Sequence, residues 1–199
     1  MKSAKPEEIS VSFKERLRET GALLEGHFQL SSGLHAPRYF QCARFLQHPA
    51  QAEWACRELA KNIEEPVDVV LGPALGGMIA AYELGRALGV RALFTERLGE
   101  NMTLRRGFEI ARGERVLVVE DVVTTGLSAR EAAECVRAAG GEIAAFASLI
   151  DRSGGKVAFG VPFYALLTVE EEALGPECCP LCTLGITLDK PGSRKVSMK

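Results

Sequence analysis

Ile9, Phe13 and Leu17 recur every four positions behind Pro6 and Glu7, and Gly21 follows the last turn; this spacing predicts a first amphipathic helix. Residues 27–41, HFQLSSGLHAPRYFQ, read as two short strands around a turn. A helix opened by Pro49 follows, running to about Ile63, with Trp54 as a core residue. From Val67 the chain becomes regular: VDVVLG (67–72), a Gly-rich turn, a helix to about Leu88, VRALFT (90–95), a loop, RVLVVE (115–120), a loop, a helix over 127–139, and IAAFASLI (143–150). Such short, continuous, β-branched runs fit parallel strands covered on both faces, and right-handed crossovers wind them into an open, mostly parallel α/β sheet flanked by helices. The helix from Leu127 places Ala129, Ala132, Ala133 and Val136 on its sheet side, and Gly140 ends it. A last strand within PFYALLTV (162–169) precedes a Cys, Pro and Gly-rich tail without periodicity.

Composition narrows the function classes. At 199 residues and 47% apolar content the chain fits one domain with a filled core, and it has no repeat, low-complexity tract or linker. Lys and Arg total 24 against 26 Asp and Glu, so a net charge of -2 supplies no electrostatic footprint for nucleic acid or an anionic membrane. The N-terminal MKSAKPEEIS lacks a signal peptide's apolar core, and no stretch approaches the roughly 20 apolar residues that span a bilayer. The expectation is a cytoplasmic protein. Cys42, Cys56 and Cys135 sit singly in apolar segments and read as core filler. Cys179 and Cys182 form one C-x-x-C, two thiolates where a closed zinc site needs four ligands; a structural turn is the favoured reading, with a shared zinc or a labile disulfide as alternatives.

Ligands of open α/β sheets collect beyond the C-terminal strand ends, which selects three loops: PALGG, ERLGENM and EDVVTTGLS. Thr124, Thr125, Gly126, Leu127 and Ser128 offer successive backbone N–H groups and three hydroxyls at a helix start, a cradle for a phosphate dianion. Neither G-x-x-x-x-G-K-[ST] nor G-x-G-x-x-G is present. Glu120 and Asp121, immediately upstream, would repel an anion, so their partners must be hydroxyl donors or a cation. A ribose 5-phosphate meets both demands: its phosphate rests on the Thr/Ser loop while its 2- and 3-hydroxyls donate to the two carboxylates, and Mg²⁺ bridges hydroxyls and a pyrophosphate.

The stretch VLVVEDVVTTGLS (116–128) strongly resembles the phosphoribosyl pyrophosphate (PRPP) motif of the type I phosphoribosyltransferases. Within that group the chain is similar to the orotate-using members, from GALLEGHFQLSSGLHAPRYFQ (21–41) through LGPALGG and MTLRRGF to SLIDRSGG (148–155), including the CPLC tail of one bacterial branch. The resemblance implies an N-terminal hood over about residues 1–45 and a C-terminal segment over about 170–199. It implies that Glu120, Asp121, Val122, Val123, Thr124, Thr125, Gly126, Leu127 and Ser128 hold PRPP, with Thr124 also facing the base. Arg152 would clamp the orotate carboxylate, with Phe40, beside Tyr39, over the ring. Leu75 and Gly76 would form the pyrophosphate turn, with a non-proline cis peptide expected at Ala74 and Leu75.

The family commonly carries lysines in the hood, the pyrophosphate turn and a mobile loop; this chain has Ser31, Gly76 and the lysine-free ERLGENMT, leaving Arg97 as the best-aligned loop cation. Arg97 and Asp121 are therefore the catalytic expectation, with Mg²⁺ held mainly by PRPP and through water to Asp121. The implied reaction displaces pyrophosphate from C1 of PRPP by N1 of orotate, giving orotidine 5′-monophosphate for pyrimidine synthesis. The implied assembly is a homodimer in which that loop reaches the neighbouring site. A purine salvage phosphoribosyltransferase and a non-catalytic PRPP-sensing regulator are the alternatives.

Overall fold

The computed structural model describes residues 6–30, 32–170 and 173–191, so Ser31 and the ends of the predicted hood and tail lie outside the described residues. The elements run α1 (Pro6–Glu19), β1 (Leu23–Gln29), β2 (His35–Phe40), α2 (Cys42–Leu46), α3 (Pro49–Ala60), β3 (Val69–Pro73), α4 (Gly76–Leu88), β4 (Arg91–Leu98), β5 (Asn101–Leu104), β6 (Arg115–Val123), α5 (Leu127–Ala138), β7 (Glu142–Asp151) and β8 (Phe163–Thr168). A 3₁₀ turn (Pro176–Cys178) and the short α6 (Pro180–Thr183) follow. Among the described residues no helix is long and apolar enough to cross a membrane.

Strand alternation explains why the central sheet is covered on both sides. Val70, Leu117 and Val119 pack with Ala80, Ala81 and Leu84 of α4, while Val69, Leu71, Val116 and Val118 pack with Ala129, Ala132, Ala133 and Val136 of α5. Phe13 and Leu17 of α1 join the first cluster, where the Phe13 ring meets Phe45 edge-on at 5.2 Å. Trp54 packs against the same cluster and carries the Arg16 guanidinium 4.2 Å above its ring, so it is structural, as expected.

The sheet order is β5-β4-β3-β6-β7-β8, with every pair parallel except β4 and β5. From β3 the chain winds outward to β4, and from β6 it winds the other way to β7 and β8. The order therefore reverses between β3 and β6, and a crevice opens beyond their C-terminal ends. That crevice receives the turn before α4 and the turn before α5.

Three predicted boundaries need correction. The segment after residue 95 is not a loop: β4 continues to Leu98, turns at Gly99 and Glu100, and returns as β5, pairing Arg97 with Met102. The acids at 120 and 121 do not lie in a loop either, because β6 runs to Val123, pairing Glu120 with Ser148 and Val123 with Asp151. The first hairpin strand starts at Leu23 rather than at residue 27, and α2, absent from the reading above, follows β2 directly. Of the cysteines read as core filler, Cys42 and Cys56 are buried, whereas Cys135 is half-buried and its thiol donates to the Met102 carbonyl at 3.3 Å.

Candidate active site

α5 begins at Gly126, whose φ of 74° is left-handed and whose position no side-chain oxygen caps. The Leu127 N–H reaches only the Thr125 hydroxyl, at 3.3 Å, so the first turn keeps N–H donors for an anion. A Cβ at Gly126 would lie 2.9 Å from the Phe159 ring, a second reason for glycine there. Thr124 and Thr125 are exposed at the mouth and Ser128 is half-buried. Together with Glu120, Val122, Val123, Leu127, Ala129 and Arg97, these residues line one cavity of about 260 Å³. The fold thus brings Arg97, at the end of β4, to the cradle of its own chain. There its guanidinium pairs with Glu131 of α5 and donates to the Glu100 carbonyl at 2.8 Å.

The two acids lie against the turn that opens α4. The Ala74–Leu75 peptide is cis, at the position anticipated, and Leu75, largely exposed, precedes Gly76 at the helix start. A Cβ on Gly76 would stand 2.2 Å from Asp121 Oδ2, and one on Gly77 would stand 3.0 Å from Glu120 Oε2. No side chain fits at Gly76 while Asp121 keeps this position, which gives a local reason why lysine is missing there. Burial and the neighbouring Asp121 raise the Glu120 carboxyl to about 9, and burial also raises Asp121. Each carboxyl is short of solvation and the pair shares a hydrogen bond, an arrangement that welcomes hydroxyl donors or a cation.

Arg152 and Phe40, expected on the same substrate ring, are neighbours: the guanidinium carbon lies 5.9 Å from the Phe40 ring centroid. Phe40 ends β2 and is buried, so its ring is part of the core. Asp151 is buried and accepts from the Ser153 and Gly155 N–H groups at 2.8 and 2.9 Å, which shapes the turn following Arg152. Neither Arg152 nor Phe40 lines the 260 Å³ cavity itself. Arg105 and Arg106 both pair with Glu96 and are surface charges.

One residue went unrecognised. Cys42, read as filler, points its thiol toward the Asp121 carbonyl at 3.9 Å, and its proton is held mainly by burial and then by the charge of Asp121, against the pull of Arg152. Its place immediately after Gln41 in the hood was the available signal.

An anion-binding helix start with paired acids upstream, at the switch point of a mostly parallel sheet, defines an enzyme of the phosphoribosyl-transferring class. A family model described as phosphoribosyl transferase domain matches residues 43–177. An orotate phosphoribosyltransferase of Pelotomaculum thermopropionicum is 57% identical over 180 residues, 90% of this chain and 95% of that protein. One of Carboxydothermus hydrogenoformans is 56% identical over 180 residues, covering 89% and 94%. The crystal structure of orotate phosphoribosyltransferase from Aeropyrum pernix superposes with a TM-score of 0.65 at 27% identity, over 78% of this chain and 92% of that one. The chain belongs to the orotate phosphoribosyltransferase family of phosphoribosyltransferases.

Proposed function

We propose that this chain transfers the 5-phosphoribosyl group of PRPP to N1 of orotate, releasing pyrophosphate and giving orotidine 5′-monophosphate. The observation that carries this reading is the single cavity joining the open N–H groups of α5 to Glu120 and to Arg97. The 5-phosphate rests on residues 124–128, and the ribose 2- and 3-hydroxyls donate to Glu120 and Asp121. Arg97, exchanging Glu131 for substrate, stabilises charge on the departing pyrophosphate, which the turn at Leu75 and Gly76 receives. Arg152 clamps the orotate carboxylate and Phe40 flanks the ring; a base without that carboxylate forfeits the clamp.

The buried acid pair fits a divalent cation: Asp121 would hold Mg²⁺, and the ion would supply charge neutralisation to the departing pyrophosphate. Displacement at the positioned sugar carbon requires no covalent enzyme intermediate. The β4–β5 hairpin beside Arg97 is the segment suited to cover the site and exclude water.

The assembly proposed is a homodimer. It is supported by an exposed apolar groove of about 340 Å³ formed by Met78, Ile79 and Tyr82 of α4 with Ala92, Leu93, Phe94 and Phe108. The function is tested by mixing the protein with Mg²⁺, PRPP and orotate and following orotate absorbance. Loss of absorbance with orotate, and no product with hypoxanthine or adenine, is the expected result; product from a purine alone would replace this reading.

A further inference from the structure

The C-x-x-C of the tail is not half a site, because the fold carries two histidines to it. His27 lies in β1 and His35 opens β2. Nε2 of His27 is 2.9 Å from Nδ1 of His35, 3.5 Å from Cys179 Sγ and 3.7 Å from Cys182 Sγ, and Cys182 Sγ is 3.3 Å from His35 Nδ1. No two of these four atoms are more than 4.8 Å apart. A tetrahedral zinc with bonds of about 2.3 Å to sulfur and 2.0–2.1 Å to nitrogen has ligand edges of roughly 3.3–3.8 Å. The four quoted separations fall within about 0.5 Å of those edges.

We propose that His27, His35, Cys179 and Cys182 bind one structural zinc ion that fastens the C-terminal segment to the N-terminal hairpin. The Nδ1–H of His27 donates to the Ile186 carbonyl at 2.8 Å, which leaves the Nε2 lone pair directed at the cluster. His35 binds through Nδ1 with its proton on Nε2. Two thiols lose their protons to solvent on binding, so two thiolates, two neutral imidazoles and Zn²⁺ form a site of zero net charge, which suits its burial. His27, His35 and Cys179 are buried, and exposed Cys182 gives the ion its entry. A mixed sulfur and nitrogen tetrahedron selects zinc over the hard cations.

Backbone pairing positions the four ligands before any ion arrives. The His35 N–H donates to the Leu174 carbonyl and the Leu174 N–H to the His35 carbonyl, at 2.8 and 2.9 Å. Farther along, the Asp189 N–H donates to the His27 carbonyl and the Gln29 N–H to the Asp189 carbonyl, both at 2.8 Å. Cys178, although adjacent, is outside the cluster and donates to the Gly175 carbonyl at 3.4 Å.

None of the four ligands lines the sugar cradle, and the test does not use transferase activity. Untagged protein expressed with zinc and purified under reducing conditions should contain about one zinc per chain by elemental mass spectrometry, and Co²⁺ exchange should give the visible d–d bands of a tetrahedral thiolate-imidazole site. Cys182→Ser and His35→Asn should each lower zinc to below about 0.2 per chain, while Cys178→Ser retains it. Cys182 is exposed, so its variant keeps the test valid if Cys179→Ser fails to fold. Two results would each overturn the site: reduced protein that binds neither Zn²⁺ nor Co²⁺, or full zinc content in Cys182→Ser and His35→Asn.

Discussion

Asp121 is the residue on which cradle and turn converge, since it fills the space a side chain at Gly76 would need and shares a hydrogen bond with Glu120. We expect Asp121→Asn and Arg97→Ala each to lower kcat/KM for PRPP by at least roughly tenfold, the first altering a buried acid and the second removing the cation beside the cradle; near-parental kinetics in either would remove that residue from the machinery. Arg152→Ala should raise the orotate KM well above any change in the PRPP KM, and equal changes would reject the carboxylate clamp. Glu120 also carries a pH signature. Its carboxyl titrates at about 9 in the folded chain against an ordinary 4.5, so the folded state holds a proton that the unfolded chain releases. Its contribution to stability is full below pH 4.5 and lost as pH rises toward 9. Glu120→Gln should therefore melt above the parent near pH 8 while matching it near pH 4, as read by calorimetry; an equal difference at both pH values would remove this titration from the stability of the fold. At this scale the acids, the Thr/Ser run, Arg152 and Phe40 were legible in the sequence because their motif is contiguous or specific. The two histidines were not, because nothing in H-x₇-H within a short hairpin says that a segment 150 residues later returns to it.

At the scale of elements, β6 and the two helix starts beside it set the site. The sequence reading ended β6 at residue 120 because two carboxylates break an apolar run, yet pairing with β7 carries the strand to Val123. The long hydrogen-bonded ladder overrides local polarity and keeps Glu120 and Asp121 within the strand. The strand β5 was missed for a related reason: NMTL has little apolar periodicity, and it exists because the turn at Gly99 folds it back onto the edge of β4. By contrast, α1 and α5 were evident from their periodic faces. The start of α4 yields a further test. Gly76→Ala puts a methyl against the Asp121 carboxylate, and we expect kcat/KM for PRPP to fall by about tenfold with only a small change in melting temperature. A variant with unchanged kinetics would mean that Asp121 can move without cost.

Over the whole molecule, the reversal of strand order between β3 and β6 gathers the turn before α4, the turn before α5 and the end of β4 around one crevice, and the order of elements from Val67 onward was enough to place it. The resemblance implied association but not the surface that would carry it, because Ile79, Tyr82 and Phe94 are individually unremarkable until the fold aligns them beside Phe108. Tyr82, largely exposed on α4, should be covered in the proposed dimer. Tyr82→Glu should shift the sedimentation mass from two chains to one, whereas an unchanged mass would move the interface elsewhere.

The lacing of residues 174–189 onto the first hairpin also bears on how the chain matures during synthesis. His27 and His35 leave the ribosome long before Cys179 and Cys182, so the hairpin must wait, incompletely anchored, while the central sheet assembles behind it. Docking onto the hairpin can begin only once residues 174–189 have been made, and a translational pause before their codons would prolong the interval in which this corner is open to proteases and chaperones.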